Sequence, residues 1–304
     1  MPDLLSGYNI IQRIGTGARS QIYQVVHPET GQVYALKRVV REAHEDDRFL
    51  QQAVTEFEVS SRTNHPYLRR SFDCRRIRRW MRLHEVQVVM EMVHGISLER
   101  HRQTDLNAIV NIFIQVAEGL DALHDMGYVH ADIKPNNVLV CQDGGLKIID
   151  FGQSCPIGHR KVRIQGTADY IAPEQVERRP LTRETDVFNL GASLYWVVSG
   201  KAFPTLISRG DRDRHNIGAR TPRRLIPTPQ ELNPEIPAAL SRLVMDACAD
   251  RPSDRPRDMK HFISRLNVVQ HVLDKRRAAG EKDITVSAEG EPIEPSGGEA
   301  RVAR

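Results

Sequence analysis

Cysteine is scarce in this chain. The four present, Cys74, Cys141, Cys155 and Cys248, lie far apart, with none of the close pairs that hold zinc or run thioredoxin-like chemistry. That excludes a disulfide-framework fold and reads as reduced thiols in a cytosolic protein. Also missing is a secretory signal, because Met1-Pro2-Asp3-Leu4-Leu5-Ser6 has no basic-then-apolar pattern. No apolar run approaches the roughly 20 residues that a bilayer-spanning helix needs. The most apolar stretch, Leu190 to Val198, reads as the core of a helix. A soluble chain in the cytoplasm, without a membrane partner, is the expectation. Aromatic residues make up only 6% of the sequence, and neither of its arginine clusters carries an aromatic platform or a known nucleic-acid module.

What is present is ordinary in bulk and uneven in detail. At 304 residues, 40% hydrophobic and 27% charged, the chain is long enough for one large or two modest domains with a full core. The net charge of +4 is small, but Arg69, Arg70, Arg75, Arg76, Arg78, Arg79 and Arg82 crowd one segment, and Arg209 to Arg224 holds a second cluster. Both are expected to be solvated surface; an affinity for nucleic acid falling steeply with salt is the alternative that they leave open.

Alternation marks strands at Val33–Val40 and Val86–Met90, and helical spacing of Phe49, Ala53, Phe57 and Ser60 marks a helix over roughly 46–62. Past Gly95 the pattern is helical. Ile109, Ile112, Phe113, Val116, Leu120 and Leu123 share one face of a helix over 106–126, and further helices are expected near 185–199, 237–249 and 259–275. From about Asp283 the chain is rich in Gly, Glu, Pro and Ser. The organisation predicted is α+β: a strand-rich unit over 1–93, a helical unit over 94–275 and a disordered tail over 276–304.

Chemistry concentrates in two segments. Val129-His130-Ala131-Asp132-Ile133-Lys134-Pro135-Asn136-Asn137-Val138-Leu139 places a carboxylate, an ammonium and a carboxamide close together between apolar anchors. Lys147-Ile148-Ile149-Asp150-Phe151-Gly152 adds a second carboxylate at the end of an apolar strand. Transfer of a phosphoryl group from Mg-ATP needs such a set: a base for the attacking hydroxyl, oxygen ligands for the metal and a cation near the moving phosphate. The first segment resembles the catalytic loop of protein kinases and the second their Asp-Phe-Gly motif.

The resemblance runs from the N-terminus to about Met259 and implies a bilobal protein-kinase fold, with ATP in the cleft between the lobes. Ile14-Gly15-Thr16-Gly17-Ala18-Arg19-Ser20-Gln21-Ile22 resembles the glycine-rich loop, with Ser20 at the usual third glycine. Tyr34-Ala35-Leu36-Lys37 resembles the strand carrying the phosphate-binding lysine. Glu56, nine residues before His65-Pro66, is the implied partner of Lys37; Glu58 would point about 200° away around the helix. Ile14, Ile22 and Ala35 above and Leu139 below are implied to enclose adenine, with Met90 behind it and backbone groups of Glu91 and Val93 at its edge.

By the same resemblance Asp132 orients the substrate hydroxyl and takes its proton, Lys134 neutralises the γ-phosphate, and Asn137 and Asp150 hold Mg²⁺. His130 is implied to pack against Phe151. Lys134, with Gly166-Thr167-Ala168-Asp169-Tyr170-Ile171-Ala172-Pro173-Glu174, points to the serine/threonine form, Thr167 bonding Asp132 and Lys134. Asp186 is implied to cap the catalytic loop and Arg255 to pair with Glu174. Protein substrates with Ser or Thr acceptors follow. Acidic ones are expected, because Asn136 and Ser97 stand where basophilic relatives have carboxylates and His159, Arg160, Lys161 and Arg163 line the loop.

Three departures stand out. Ala131 replaces the arginine that usually grips a phosphorylated activation loop. The loop, Gln153 to Gln165, contains only Ser154 as a hydroxyl. Ser60 and Ser71 fall where the family stacks apolar residues, which implies a less rigid Glu56 helix or a need for a partner. A pseudokinase and a small-molecule kinase remain as alternatives; the second usually lacks the Ala-Pro-Glu segment present here at 172–174. Oligomeric state is not legible.

Overall fold

The computed structural model describes residues 4–17, 19–207 and 222–286. Its N-terminal part is a six-stranded sheet in the order β1-β2-β3-β4-β6-β5, every neighbouring pair antiparallel. The strands are β1 (Leu4–Leu5), β2 (Tyr8–Thr16), β3 (Ser20–Val26), β4 (Val33–Val40), β5 (Ser71–Arg79) and β6 (Arg82–Glu91). One helix, α1 (Asp47–Ser60), crosses this sheet. Its Leu50, Ala53 and Val54 pack on Val39, Val86 and Val88; of the face read from the sequence, Ala53 and Ser60 are buried, while Phe49 and Phe57 lie half-buried at the margin of this cluster.

Beyond β6 come β7 (Gly95–Ser97), the short α2 (Leu98–His101) and α3 (Leu106–Asp125). Two small sheets follow, β10-β9-β7 and β11-β8, from β8 (Tyr128–Val129), β9 (Val138–Cys141), β10 (Leu146–Ile148) and β11 (Cys155–Pro156). The remaining helices are α4 (Pro173–Val176), α5 (Arg183–Ser199), α6 (Pro229–Leu232), α7 (Ala238–Ala247) and α8 (Met259–Ala278). Their core joins Ile109, Phe113 and Leu120 of α3 to Phe188 and Tyr195 of α5, Leu243 of α7 and Phe262 of α8. The architecture is therefore a sheet-rich N-terminal lobe on a helical C-terminal lobe.

Two expectations need correction. By length and composition α3 is apolar enough to cross a membrane, against the sequence reading that no such stretch exists. It lies instead at the centre of the helical lobe, with Ile109, Val110, Val116 and Leu120 fully buried. The tail does not begin at 276. Helix α8 runs to Ala278, and Ile284 and Val286 are buried beside the start of α3, where Leu106 N donates to Ile284 O (3.1 Å) and Val286 N to Thr104 O (2.9 Å). Two apolar residues at strand period give this short segment something to bury, which composition alone did not reveal. Residues 287–304, and most of the arginine cluster over 209–224, lie outside the described residues; within it, Arg223 pairs with Asp246 at 3.1 Å.

Candidate active site

The catalytic-loop backbone hangs from a buried carboxylate. Asp186, in the first turn of α5, accepts hydrogen bonds from the N–H groups of His130 and Ala131 and lies near His124 Nε2, each at 2.8 Å. Burial pushes its carboxyl upward, but the His124 ring and the backbone donors outweigh that and hold it below the usual range. Ala131 is thereby held at φ 60°, a left-handed conformation costly for a residue with a Cβ. The His130 ring is buried, 5.4 Å from the Phe151 ring, with Nε2 3.3 Å from Ile149 O. It packs as expected.

Asp132 sits at the floor of the cleft. Thr167 Oγ1 donates to its Oδ1 at 2.9 Å, Lys134 Nζ lies 3.3 Å from its Oδ2, and the same ammonium donates to Thr167 Oγ1 at 2.6 Å. Burial would lower the Lys134 ammonium, but the carboxylates of Asp132 and Asp150 prevail and its pKa is raised, so it remains a cation. Asn137 Nδ2 donates to Asp132 O (2.9 Å), which spends the amide nitrogen and leaves the carboxamide oxygen for a cation.

Asp150 adopts φ 64°. Its carboxylate lies 3.7 Å from Lys37 Nζ, and its side chain is 44% exposed. The Lys37 charge chiefly holds its carboxyl down at about 2, against the opposing effect of burial. Because the folded pKa is depressed, its stabilising contribution is complete above about 4 and fades only as pH falls toward 2. The ionised Asp150 carboxylate and the Asn137 carboxamide oxygen, on segments joined by the hydrogen bond from Ile149 N to Asn137 O (2.9 Å), are hard oxygen donors of the kind that suits Mg²⁺.

On the upper wall Lys37 Nζ meets Glu56 Oε2 at 2.6 Å, with Glu56 wholly buried. Burial works against the ammonium, and Glu56 and Asp150 together raise it nonetheless. Glu58 is at the surface, paired with Arg76 at 3.0 Å, so Glu56 is the carboxylate of this helix that holds Lys37. A second cation on Glu56 escaped the sequence reading. Arg69, expected in a solvated cluster, is only 7% exposed and pairs with Glu56 Oε1, while its N–H donates to Ile148 O (3.0 Å). Counted among neighbouring arginines it looked like surface; the signal for it was its place directly after the buried Leu68.

The Glu56 helix is also held where apolar stacking was expected. Ser60 Oγ lies 2.5 Å from Glu56 O and 2.6 Å from Ser71 Oγ, both serines being buried. One hydroxyl proton goes to the carbonyl, and Ser71 supplies the other. Ser60→Ala should cost about 1–2 kcal/mol, because the Ser71 hydroxyl is left unpaired, and adding Ser71→Ala should cost less than the sum of the two single changes. Urea midpoints of the four proteins check this; strict additivity would dismiss the pair.

Of the residues implied to enclose adenine, Ile14, Ile22, Ala35 and Met90 lie on the successive neighbouring strands β2, β3, β4 and β6. A Cβ on Gly17 would fall 2.6 Å from Ser20 Oγ, and Gly17 N donates to Ser20 O (2.8 Å), so glycine at 17 accommodates serine at the usual third glycine. Gly15 faces Ile22 across the β2–β3 pair, and Ala35 faces Met90 across β4–β6, both buried. Glu91 ends β6 opposite Tyr34, and Val93 lies beyond it outside any strand. Ile14 remains 42% exposed, and Ile22 and Leu139 are half-buried, which leaves apolar surface open to a flat ligand.

The activation loop is tied down by its own backbone. Strand β11 pairs with β8, Gly158 N donates to Leu181 O (2.7 Å), Leu181 N to His159 O (2.9 Å), and Lys161 Nζ to Gln153 O (2.6 Å). Ser154 is buried, and burial pushes the neighbouring Cys155 thiol up to about 11, so it is unsuited to redox work. Gln175, absent from the sequence reading, bridges the pieces. Its Nε2 donates to Ala131 O (2.7 Å) and Gln165 O (3.1 Å), and its Oε1 accepts from Ala172 N and Asn189 Nδ2, both at 3.0 Å. Below it Arg255 forks onto Glu174 at 2.7 and 2.9 Å.

Known proteins resemble the chain in sequence and in fold. Residues 8–269 match the protein kinase domain family. PknA, a serine/threonine-protein kinase of Mycobacterium tuberculosis, is 29% identical over 98% of this chain and 69% of its own length. A probable serine/threonine-protein kinase of Clostridium acetobutylicum is 26% identical over 88% of this chain and 40% of its own length. The chain thus spans well under the full length of some of these relatives. The fold is like that of the PknI kinase domain of M. tuberculosis, with a TM-score of 0.68 at 23% identity, covering 88% of this chain and 96% of that one. With a match that runs over residues 8–269, most of its length, the chain belongs to the protein kinase domain family.

Proposed function

We propose that this serine/threonine protein kinase moves the γ-phosphoryl group of Mg-ATP onto serine and threonine hydroxyls of protein substrates, with Asp132 as the base. Asp132 orients the incoming hydroxyl and receives its proton; Lys134, a cation beside Asp132, would neutralise charge on the transferred phosphate; Lys37, fixed by Glu56, suits the α- and β-phosphates. Mg²⁺, when held by Asp150 and Asn137, supplies charge neutralisation at the phosphate oxygens. The observation that carries the reading is Thr167, bonded to both Asp132 and Lys134, which joins the segment that would receive the substrate to the groups that would act on it.

We also favour acidic or already phosphorylated substrates. His159, Arg160 and Arg163 of the activation loop are exposed, making that wall electropositive. Glu99 of α2 is a carboxylate overlooked in the sequence; its charge helps to raise the pKa of Lys134 and of Tyr170. The reduced cysteines accord with a place in the cytoplasm. Labelled Mg-ATP with a serine/threonine peptide library tests the reading. Label on serine and threonine, enriched beside acidic positions, is expected. Label on tyrosine, or none, would remove the assignment, and enrichment of arginine would remove only the acidic preference.

A further inference from the structure

The hairpin joining β5 to β6 is built against the preferences of a hairpin. Arg79 and Arg82 face each other across it, leaving Trp80 and Met81 as the two turn residues, at φ 49° and 67°. Such turns favour Asn-Gly because both positions need positive φ. A tryptophan and a methionine pay a steric cost there that glycine avoids. Folding returns nothing for it: Trp80 is 97% exposed and Met81 88% exposed.

Around this apolar tip stand cations. Arg75, Arg78, Arg79 and Arg82 are exposed and make no ion pair among the described residues, whereas Arg76 is paired with Glu58. The sequence reading saw the arginines without an aromatic platform; the structure sets a lone tryptophan in front of them.

We infer that the Trp80–Met81 tip and its arginine collar dock the kinase on an anionic phospholipid surface. Two residues on a convex tip are far short of the roughly 800 Å² per partner that a stable protein interface buries. A nucleic acid would present its phosphates first and leave the apolar tip without a partner, unless a base unstacked onto it. A bilayer interface suits both parts in order: the indole and thioether enter the headgroup boundary, and guanidinium groups just behind them meet lipid phosphates. The tip lies at the far end of β6, whose 10 residues separate it from Glu91 at the cleft by about 30 Å. Docking there leaves the cleft open to substrates.

The test uses the full chain sedimented with sucrose-loaded vesicles of phosphatidylcholine, with or without phosphatidylglycerol. Wild type should pellet with the anionic vesicles and not with phosphatidylcholine alone. The R78E/R79E/R82E variant should bind at least about 100-fold more weakly, each arginine being worth roughly fivefold near such a surface. Trp80→Ser should bind about 10-fold more weakly. Both variants should keep wild-type transfer to a soluble protein substrate, which shows them folded. In the unaltered chain, adding anionic vesicles should shift tryptophan emission to the blue, and Trp80→Phe should lose the shift. Failure of wild type to pellet with anionic vesicles overturns the inference. So does equal binding by the variants, equal binding to neutral vesicles, or binding of duplex DNA through these arginines in place of lipid.

Discussion

Asp132→Asn should slow phosphoryl transfer about 10²–10⁴-fold while leaving Mg-ATP affinity nearly unchanged. Asparagine is the same size and keeps an acceptor oxygen for Thr167, so the bond now at 2.9 Å can survive. It cannot take a proton from the substrate hydroxyl. Asn137 and Asp150, the residues proposed to hold Mg²⁺, and the Lys37–Glu56 pair are untouched, which is why nucleotide binding should persist. Single-turnover transfer with parallel nucleotide titration separates the two. Near wild-type turnover would show that Asp132 is not the base, and lost nucleotide binding would show that the substitution disturbs the cleft.

Arg255→Met should cost about 3–5 kcal/mol of stability, the largest loss expected from a single change outside the cleft. The guanidinium is buried and bonds both oxygens of Glu174, and its remaining donors serve the carbonyls of Ala249, Glu184 and Asp250. Removing it strands the Glu174 carboxylate, itself only 2% exposed, without a counter-charge. The double variant Arg255→Met with Glu174→Leu should recover part of the loss, because no buried charge then remains. Urea unfolding of the three proteins is the measurement. A single-variant cost under about 1 kcal/mol would mean the pair is not the buried strut described here.

How much of this was legible in the sequence depended on whether a residue's role is local. Asp132, Asn137 and Asp150 sit in short segments whose residue types imply their chemistry, and the structure brings them to one cleft. The face of α3 was legible because burial imposes a helical period, whereas on α1 the reading took half-buried Phe49 and Phe57 and passed over buried Leu50 and Val54. Arg69 and Gln175 were not, since each acts through partners distant in sequence: Arg69 on Glu56, Gln175 on the carbonyl of Ala131. Composition pointed the same way for Arg69 as for its exposed neighbours, and only its path beside β10 distinguishes it. Ser60 and Ser71 looked like a defect because a hydroxyl was weighed as a missing apolar group. Facing one another in a buried site, the two satisfy each other instead.

The same contrast bears on Ala131, the methyl group where an arginine usually receives a loop phosphate. Here the loop is already positioned by β11–β8 pairing, by the exchange between Gly158, His159 and Leu181, and by Gln175. Ser154 is buried, and Thr167 is engaged with Asp132 and Lys134. The central claim is therefore that the active arrangement forms without phosphate on the loop. It is tested by treating the purified enzyme with phosphatase, confirming by mass spectrometry that it is unphosphorylated, and measuring transfer in a single turnover that allows no re-phosphorylation. The treated enzyme should match the untreated one within a few-fold. A loss on the order of 100-fold, regained when Ser154 or Thr167 is phosphorylated, would contradict the account and place another cation in the missing arginine's role.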